Sequence, residues 1–396
     1  MRLPDRCWVP ALGSLVLALA FVGVLLVRAG GDPSLLVHAG PPWTDADDAP
    51  GSLTVQDAEE AFDGQFFYRL GTAPWSEAET EAGVTFDLPA LRNARWGYGA
   101  LAWVASGGDP DLVPWALIVL NLAAAAAVGA AGGALAQRAG RPAWWGLAFA
   151  LWPGFAYSLS LDTSELVASA FVLWGLVALV DRRWVLAGLA LSAAALTRDT
   201  TVVVAFGAIG AGLWAMVSPR GALDEGDRSP TALAWAGVGI ASTLAFGAWQ
   251  LIQHARFGDL PLTSSGDNNL AAPLAGLVEL LGDAAIPSGG DEAFRLVSVI
   301  GLLALAAAGG AMVWRSRPLR PDPVVVAWGG AMVVVALLNA YLWSGATAFM
   351  RASTEAGLLS ILLVVRVAPA RLATLVGAGL GGLWLLTAVA QVAKLA

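Results

Sequence analysis

The segment from Phe62 to Tyr68, with the sequence Phe-Asp-Gly-Gln-Phe-Phe-Tyr, places one carboxylate beside a glycine and among aromatic side chains. In a partly apolar pocket, burial and neighbouring charges tune the pKa of such a carboxylate, as a general base requires. Asp63 is therefore a candidate base. The alternative, which composition alone favours, is that Asp63 caps a loop helix whose aromatic residues rest on a membrane surface.

Two arginines three residues apart, Arg92 and Arg95, precede a short apolar stretch from Trp96 to Ala105. On a helix this spacing puts both guanidinium groups on one face, where they could hold phosphate oxygens. The alternative is ordinary attraction to lipid headgroups, and both interpretations involve lipid phosphate. The apolar stretch is too short to span a membrane, so we expect it at the interface, with Trp96, Tyr98 and Trp103 at headgroup level.

Other polar side chains lie where long apolar runs begin or end. Asp162 could cap one such run, whereas Glu165 falls one step inside it, where a carboxylate needs a partner. Arg198, in a very short turn between two later runs, is the natural partner of Glu165, and a structural salt bridge is the favoured interpretation. Arg351 either joins the other arginines in an anion site or snorkels to the membrane interface.

Membrane helices must position these side chains. The 396 residues are 57% hydrophobic and 13% charged, with mean hydropathy +0.68, which is too apolar for a water-soluble globule. The sequence predicts an all-α, polytopic transmembrane helical bundle of about eleven spans. The spans are predicted near residues 10–27, 112–136, 143–158, 164–180, 184–197, 200–217, 231–252, 294–314, 323–343, 352–366 and 370–392.

Basic residues set the predicted orientation, because arginine and lysine accumulate on the cytoplasmic side. A cytoplasmic N-terminus puts five basic breaks between spans on that side, and it puts all the candidate site residues on the extracytoplasmic side. The breaks are Arg138/Arg141, Arg182/Arg183, Arg220/Arg228, Arg315/Arg317/Arg320 and Arg366/Arg371. The first span is predicted to be an uncleaved anchor, because no clear small-x-small cleavage site follows it.

Five regions follow from this topology. Residues 1–27 form a signal-anchor span, and residues 28–111 form a large extracytoplasmic first loop containing interfacial helices. Residues 112–253 form a transmembrane bundle, residues 254–292 a second extracytoplasmic loop, and residues 293–396 a C-terminal transmembrane bundle.

Composition also restricts the chemistry. A single cysteine, Cys7, allows no internal disulfide, and two histidines make a thiolate or imidazole metal cage implausible. The net charge of -8 argues against nucleic acid as a partner. No cofactor is predicted.

Several segments together resemble the integral-membrane C-type glycosyltransferases, the GT-C superfamily, and in particular bacterial members that act on cell-surface glycopolymers. The resemblance covers roughly the first half of the chain. The matching residues are the run from Asp63 to Tyr68, the Pro-Ala-x-Arg-x-x-Arg-x-x-Tyr run from Pro89 to Tyr98, Asn121, the pair Asp162 and Glu165, and the run from Leu196 to Thr200.

This resemblance implies transfer of a sugar, with inversion, from a polyprenyl-phosphate donor to an extracytoplasmic glycan or lipid acceptor at a bacterial inner membrane. Asp63 would be the base, and Arg92, Arg95 or Arg351 would hold the donor phosphate. The expected substrate-binding set also includes Gln65, Tyr68, Asp162, Glu165 and Arg198. Some members bind a metal through paired acids in the first loop. Here Asp63 is followed by Gly64, and the nearest upstream acids are Glu59 and Glu60, so a metal requirement stays open.

Two other functions remain open. A transporter or lipid flippase could use Glu165 and Arg198 as a relay, although transporters often place such groups at mid-membrane in repeated halves, whereas here the charges cluster at one face. A polymer ligase that uses lipid-linked sugars would also need arginines on the outer face.

Overall fold

The computed structural model describes residues 6–58, 61–218, 228–264, 269–283, 289–317 and 320–395, and this part of the chain is almost entirely helical. The helices are α1 (Trp8–Arg28), α2 (Gly64–Thr72), α3 (Pro89–Ala94), α4 (Trp96–Ser106), α5 (Val113–Arg138), α6 (Leu147–Ala150), α7 (Gly154–Ser160), α8 (Glu165–Val180), α9 (Trp184–Thr197), α10 (Val202–Val217), α11 (Arg228–Phe257), α12 (Pro261–Ser264), α13 (Ala275–Asp283), α14 (Gly290–Arg315), α15 (Pro323–Leu337), α16 (Ala340–Ser344), α17 (Ala346–Ala352), α18 (Thr354–Val367) and α19 (Ala370–Lys394). Short 3₁₀ helices occupy Pro33–Val37, Ala143–Gly146 and Asp199–Thr201, and a small antiparallel hairpin pairs β1 (Thr80–Glu81) with β2 (Val84–Thr85).

Six helical segments in the described residues are long and apolar enough to cross a membrane, which indicates a membrane protein. A seventh is present if α17 and α18, which meet at an angle of 60°, form one broken span. The six are Trp8–Arg28, Val113–Arg138, Asp199–Val217, Thr231–Phe257, Gly290–Arg315 and Ala370–Lys394.

The predicted count of about eleven spans is not confirmed. Every predicted window overlaps helical segments, but α8, α9 and α15 have only 16, 14 and 15 residues. At 1.5 Å per residue, none of these covers a hydrocarbon core of roughly 30 Å alone. The window at 143–158 is broken by Pro153 into a 3₁₀ turn and two short helices, because proline cannot continue the hydrogen-bonded ladder.

The segment between α1 and α5 is folded and packs on the helical bundle. Its α2 is buried along almost its whole length, and it contacts α4, which in turn contacts α5. The buried guanidinium of Arg69 donates hydrogen bonds to the carbonyl oxygens of Ala78, Glu79 and Val84 at 2.5, 2.8 and 2.9 Å. Arg69 thereby fixes the β1–β2 hairpin to α2, so the start of α2 has a defined position.

Two glycines allow the close approaches that bring the candidate residues together. A Cβ atom on Gly64 would meet the carbonyl oxygen of Val37, and it would lie 2.6 Å from that of Leu161. Gly97 in α4 lies so close to the end of α9 that a Cβ atom would be 3.0 Å from the Cα atom of Thr197. A larger residue at either position would separate the first segment from the bundle.

The expectation that Tyr98 lies at headgroup level is wrong. Its ring is fully buried, and its hydroxyl donates to the carbonyl oxygen of Leu117 at 2.9 Å and accepts a hydrogen bond from Asn121 at 2.8 Å. The apolar spacing of α4 therefore serves packing against α5 at this position. Trp103, on the same helix, is exposed.

Candidate functional site

Asp63 immediately precedes α2, but its side chain does not cap that helix. Its Oδ1 atom accepts a hydrogen bond from Nη1 of Arg92 at 2.9 Å, and its Oδ2 atom accepts one from Nη2 of Arg351 at 2.8 Å. The capping alternative for Asp63 is therefore wrong. Burial alone would raise the pKa of Asp63, but Arg92, Arg351 and Arg95 outweigh it and hold that pKa well below the usual range for a carboxyl.

Arg92, in α3, is shared between two carboxylates. Its Nε and Nη2 atoms donate to the two oxygens of Asp87 at 2.7 Å each, while Nη1 reaches Asp63. The guanidinium also lies over the ring of Phe66, 4.0 Å from the ring centre, which orients its plane. No motif in the sequence singles out Asp87. The only local sign of the pairing is the position of Asp87, five residues before Arg92 and two before Pro89, which begins α3.

Glu165 is the buried centre of the arrangement, with no exposed side-chain surface. Its Oε1 atom accepts a hydrogen bond from Nε of Arg351 at 2.7 Å and another from Nη1 of Arg198. The predicted pairing of Glu165 with Arg198 is confirmed. Arg198 also lies 3.3 Å from the carboxylate of Glu355 and donates to the carbonyl oxygen of Arg351 at 2.6 Å.

These contacts form one continuous chain of alternating charges, which we call the ion-pair chain. It consists of Asp87, Arg92, Asp63, Arg351, Glu165, Arg198 and Glu355. The side chains of Arg198 and Arg351 are only 9% and 10% exposed, whereas Asp63 is 23% exposed. Asp63 is thus the most exposed member of the ion-pair chain.

Arg95 does not share a helix face with Arg92, so that expectation is wrong. The helix α3 ends at Ala94, and Arg95 has non-helical backbone angles. Its guanidinium lies 3.5 Å from a carboxylate oxygen of Asp199, in the turn that follows α9. Arg95 nevertheless remains near enough to Asp63 to lower its pKa.

Gln65 and Tyr68 are buried away from the ion-pair chain. The amide oxygen of Gln65 accepts hydrogen bonds from the hydroxyl of Thr44 at 2.7 Å and from the backbone N–H of Gly40 at 3.3 Å. The ring of Tyr68 is fully buried, and burial raises its pKa. Both side chains pack within the first segment, and their contact with substrate stays a prediction.

Asp162 lies between α7 and α8 and is outside the ion-pair chain. The residue is fully buried with a left-handed backbone (φ 45°), and neither carboxylate oxygen has a hydrogen-bond partner among the described residues. Burial raises the pKa of Asp162 well above its usual range, because a carboxylate without a partner is disfavoured in a buried setting.

No group of three or more His, Cys, Asp or Glu side chains among the described residues could hold a metal ion. Glu59 and Glu60, the acids that bear on the metal question, lie outside the described residues. In the ion-pair chain an arginine lies between each carboxylate and the next. The positive charge of that arginine disfavours binding of a metal cation there.

Comparison of the chain with protein-family models, with curated proteins and with solved structures finds no match. The function of the ion-pair chain is therefore inferred from its own geometry. That geometry joins an accessible carboxylate to two arginines, which is suited to chemistry involving a hydroxyl and a phosphate.

Proposed function

We propose that the protein is a membrane glycosyltransferase of the GT-C type, with Asp63 as its base and Arg92 and Arg351 as its phosphate-binding residues. The donor would be a polyprenyl-phosphate-linked sugar, and the acceptor an extracytoplasmic glycan or lipid of a bacterial envelope. The observation that carries the proposal is the position of Asp63 between two arginines that come from distant parts of the chain.

Two further features support this assignment. Asp63 is attached to the first loop through α2, while Arg351 belongs to a helix that is bent against α18, so the reacting groups lie where loop and bundle meet. The contact between Asp63 and Arg351 joins residues 288 positions apart. A first loop with only a structural role would not require two arginines, one from the loop and one from the bundle, on the carboxylate of Asp63.

In the resting state Asp63 is a poor base. Both of its oxygens accept hydrogen bonds from arginines, and its pKa lies far below neutrality. A donor phosphate that binds Arg92 and Arg351 would replace their hydrogen bonds to Asp63. Burial would then raise the pKa of Asp63. Donor binding would thus create the base at the moment it is needed.

The proposed reaction is a single displacement. The acceptor hydroxyl oxygen attacks the anomeric carbon, and its proton passes to the carboxylate of Asp63. The bond between the anomeric carbon and the phosphate oxygen breaks, and its electron pair stays on the polyprenyl phosphate. Arg92 and Arg351 accept the growing negative charge of that leaving group. Attack from the face opposite the phosphate inverts the configuration at the anomeric carbon.

Substitution of Asp63 tests the proposal. Asp63→Asn keeps the side-chain shape but removes the basic oxygen, so we expect transfer of labelled sugar from polyprenyl-phosphate donors to isolated envelope acceptors to fall by about 10²- to 10⁴-fold. The matched control is Asp48→Asn, at an exposed acid of the same segment, which should transfer sugar at the normal rate.

Three outcomes are informative. Full transfer by Asp63→Asn in a normally inserted protein would remove Asp63 as the base. No transfer by the unsubstituted protein with any polyprenyl-phosphate sugar would favour transport, which is then measured as movement of a labelled lipid-linked sugar between leaflets. Attachment of preassembled polymer, without transfer of single sugars, would favour a ligase.

A further inference from the structure

Three tryptophans from separate parts of the chain meet beside the segment that carries Arg92. Trp75 follows α2, Trp96 begins α4, and Trp249 belongs to α11. The ring centres lie 4.8 Å apart for Trp75 and Trp96, 5.4 Å for Trp96 and Trp249, and 6.3 Å for Trp75 and Trp249. These are the separations of packed aromatic pairs, so the three indoles support one another. We call these three residues the tryptophan cluster.

Trp75 is the exposed member of the tryptophan cluster. It is 56% exposed, whereas Trp96 and Trp249 are half-buried. Arg256 also fixes the backbone beside it, because its Nη2 atom donates to the carbonyl oxygen of Trp75 at 3.0 Å and its Nε atom donates to the carboxylate of Glu77 at 2.8 Å. A rigid, exposed indole loses little conformational entropy when a ligand stacks on it.

Two buried hydrogen-bond donors at the tryptophan cluster lack partners among the described residues. One is the indole N–H of Trp96. The other is the amide nitrogen of Gln253, a fully buried residue one helical turn after Trp249 in α11. The indole N–H of Trp249, by contrast, donates to the carbonyl oxygen of Ala94 at 3.2 Å. Because unpaired buried donors cost free energy, a ligand rich in oxygen atoms would complement this part of the molecule.

The tryptophan cluster lies close to the proposed base. Trp96 is four residues after Arg92, which donates a hydrogen bond to Asp63. The Cα atoms of Arg92 and Trp96 are therefore at most about 14 Å apart, the length of a fully extended chain of four residues. This distance suits an acceptor that reacts at one end and extends over the tryptophan cluster.

Exposed acids border Trp75. The side chain of Glu77 is 60% exposed, and Glu79 follows it in the same exposed run. Carboxylates are costly to bury in hydrocarbon and repel anionic headgroups, so this border disfavours insertion of Trp75 into the bilayer. Carboxylates do accept hydrogen bonds from hydroxyl groups. An indole bordered by acceptors therefore fits a neutral sugar, which has an apolar C–H face and hydroxyl groups around its ring.

We propose that the tryptophan cluster is an acceptor subsite, in which Trp75 stacks on a sugar ring of a glycan chain whose reacting hydroxyl lies at Asp63. This inference rests on the proposed function and deepens it, because it selects a glycan over a lipid as the acceptor. The subsite binds a sugar beyond the one that reacts. It therefore strengthens acceptor binding without taking part in the displacement.

Acceptor length tests the proposal. Oligosaccharides released from isolated envelope glycan are separated by length, and KM and kcat for each are measured with labelled polyprenyl-phosphate sugar. Trp75→Ala should raise KM for long acceptors by about fivefold, as expected for loss of one stacked ring, with kcat and the KM for a single-sugar acceptor unchanged. Trp75→Tyr keeps an aromatic face and should restore most of the binding. The matched control is Trp103→Ala, at an exposed tryptophan of α4 outside the tryptophan cluster, which should change neither constant.

Direct binding gives a measurement that does not depend on transfer. Calorimetric titration of the purified full chain with the same oligosaccharides should show that Trp75→Ala binds long chains about fivefold more weakly than the unsubstituted protein does. Asp63→Asn should still bind them. Thermal unfolding of each variant shows whether it is folded.

The acceptor subsite is overturned if folded Trp75→Ala binds and uses long acceptors as the unsubstituted protein does, or if the unsubstituted protein binds no oligosaccharide of any length. The proposed function would then still stand or fall with Asp63→Asn. The subsite is also overturned if Trp75→Ala and Trp103→Ala impair transfer to long and single-sugar acceptors alike, because both tryptophans would then anchor the protein in the membrane. Binding of glycan that depends on Trp75, in a protein that transfers no sugar, would support the subsite and overturn the proposed glycosyltransferase.

Discussion

Helix α8 begins in one kind of polar environment and ends in another. At its start, the ion-pair chain contains three arginines and four carboxylates, and each arginine lies between two acids. At its end, near Leu179, a cavity of about 560 Å³ has three arginines and one acid among its described lining residues. Equal numbers of arginines are therefore interleaved with four acids at one end and line a cavity with a single acid at the other.

The difference shows that an arginine count does not identify an anion site. The arginines of the ion-pair chain are occupied, so an anion can bind there only by replacing a carboxylate, and Asp63 is the most exposed of the central acids. At the cavity, the one acid among the described lining residues, Asp322, is paired with Arg366. The first arrangement suits a reaction in which binding changes the state of a base.

The largest expected difference between the two ends concerns stability. Arg351→Met leaves Asp63 and Glu165 without one of their cationic partners in a buried setting, and we expect it to lower the free energy of unfolding by about 3–5 kcal/mol. Arg366→Met removes a pair whose arginine is 36% exposed, so we expect a loss of less than about 1 kcal/mol. Thermal and denaturant unfolding in detergent measures both, and equal losses would contradict the comparison.

The second prediction concerns coupling. Glu165 and Arg198 are buried and bonded to each other, so the effects of Glu165→Gln and Arg198→Gln on unfolding should be non-additive by up to about 3 kcal/mol in a double-mutant cycle. Arg138 and Asp181 make the matched exposed pair, with 2.5 Å between their charged atoms. Their cycle should give less than about 1 kcal/mol. Additive behaviour of the Glu165 and Arg198 variants would show that the ion-pair chain is not an energetic unit.

Part of this contrast could be predicted from sequence, because hydropathy and arginine placement are local signals. All eleven hydropathy windows overlap helical segments, and the pairing of Glu165 with Arg198 follows from one acid and one arginine at the ends of neighbouring apolar runs. The candidate residues Asp63, Arg92, Glu165, Arg198 and Arg351 do lie in one cluster. Their roles in catalysis stay predictions.

The remaining features depend on tertiary contacts that no local pattern carries. The break at Pro153 and the short length of α8 affect how many helices are long enough to span a membrane. Neither feature is visible in the hydropathy of the sequence. The burial of Gln65 and Tyr68 follows from packing of α2 against neighbouring elements, and the end of α3 at Ala94 turns Arg95 toward Asp199. The cavity is lined by residues of α8, α9, α11, α15 and α18, so single-helix periodicity gives no sign of it.

The third prediction concerns the pH dependence of the stabilisation that Asp63 provides in the ion-pair chain. The folded protein lowers the pKa of Asp63, so the stabilisation from its ionised form is fully present above the unfolded value of about 3.9 and is lost as pH falls through the folded value. Unfolding free energies of the natural protein and Asp63→Asn should therefore differ by on the order of 2 kcal/mol at pH 7, begin to converge as pH falls below about 4, and become equal only near the lower, folded pKa of Asp63. A difference that persists unchanged in strong acid would contradict ionic pairing at Asp63.

The smallest expected effect comes from Asp162, which lies at the ion-pair end without joining the ion-pair chain. Because burial disfavours the charged form of the Asp162 carboxyl, Asp162→Asn supplies a neutral group of the same shape, and asparagine tolerates the left-handed backbone there. We expect less than about 1 kcal/mol of change in unfolding free energy at pH 7. Asp162→Ala, which empties the same buried space, is the companion variant, and it should cost more than Asp162→Asn. If Asp162→Asn instead costs as much as Arg351→Met, Asp162 is ionised and belongs to the charge balance of that end.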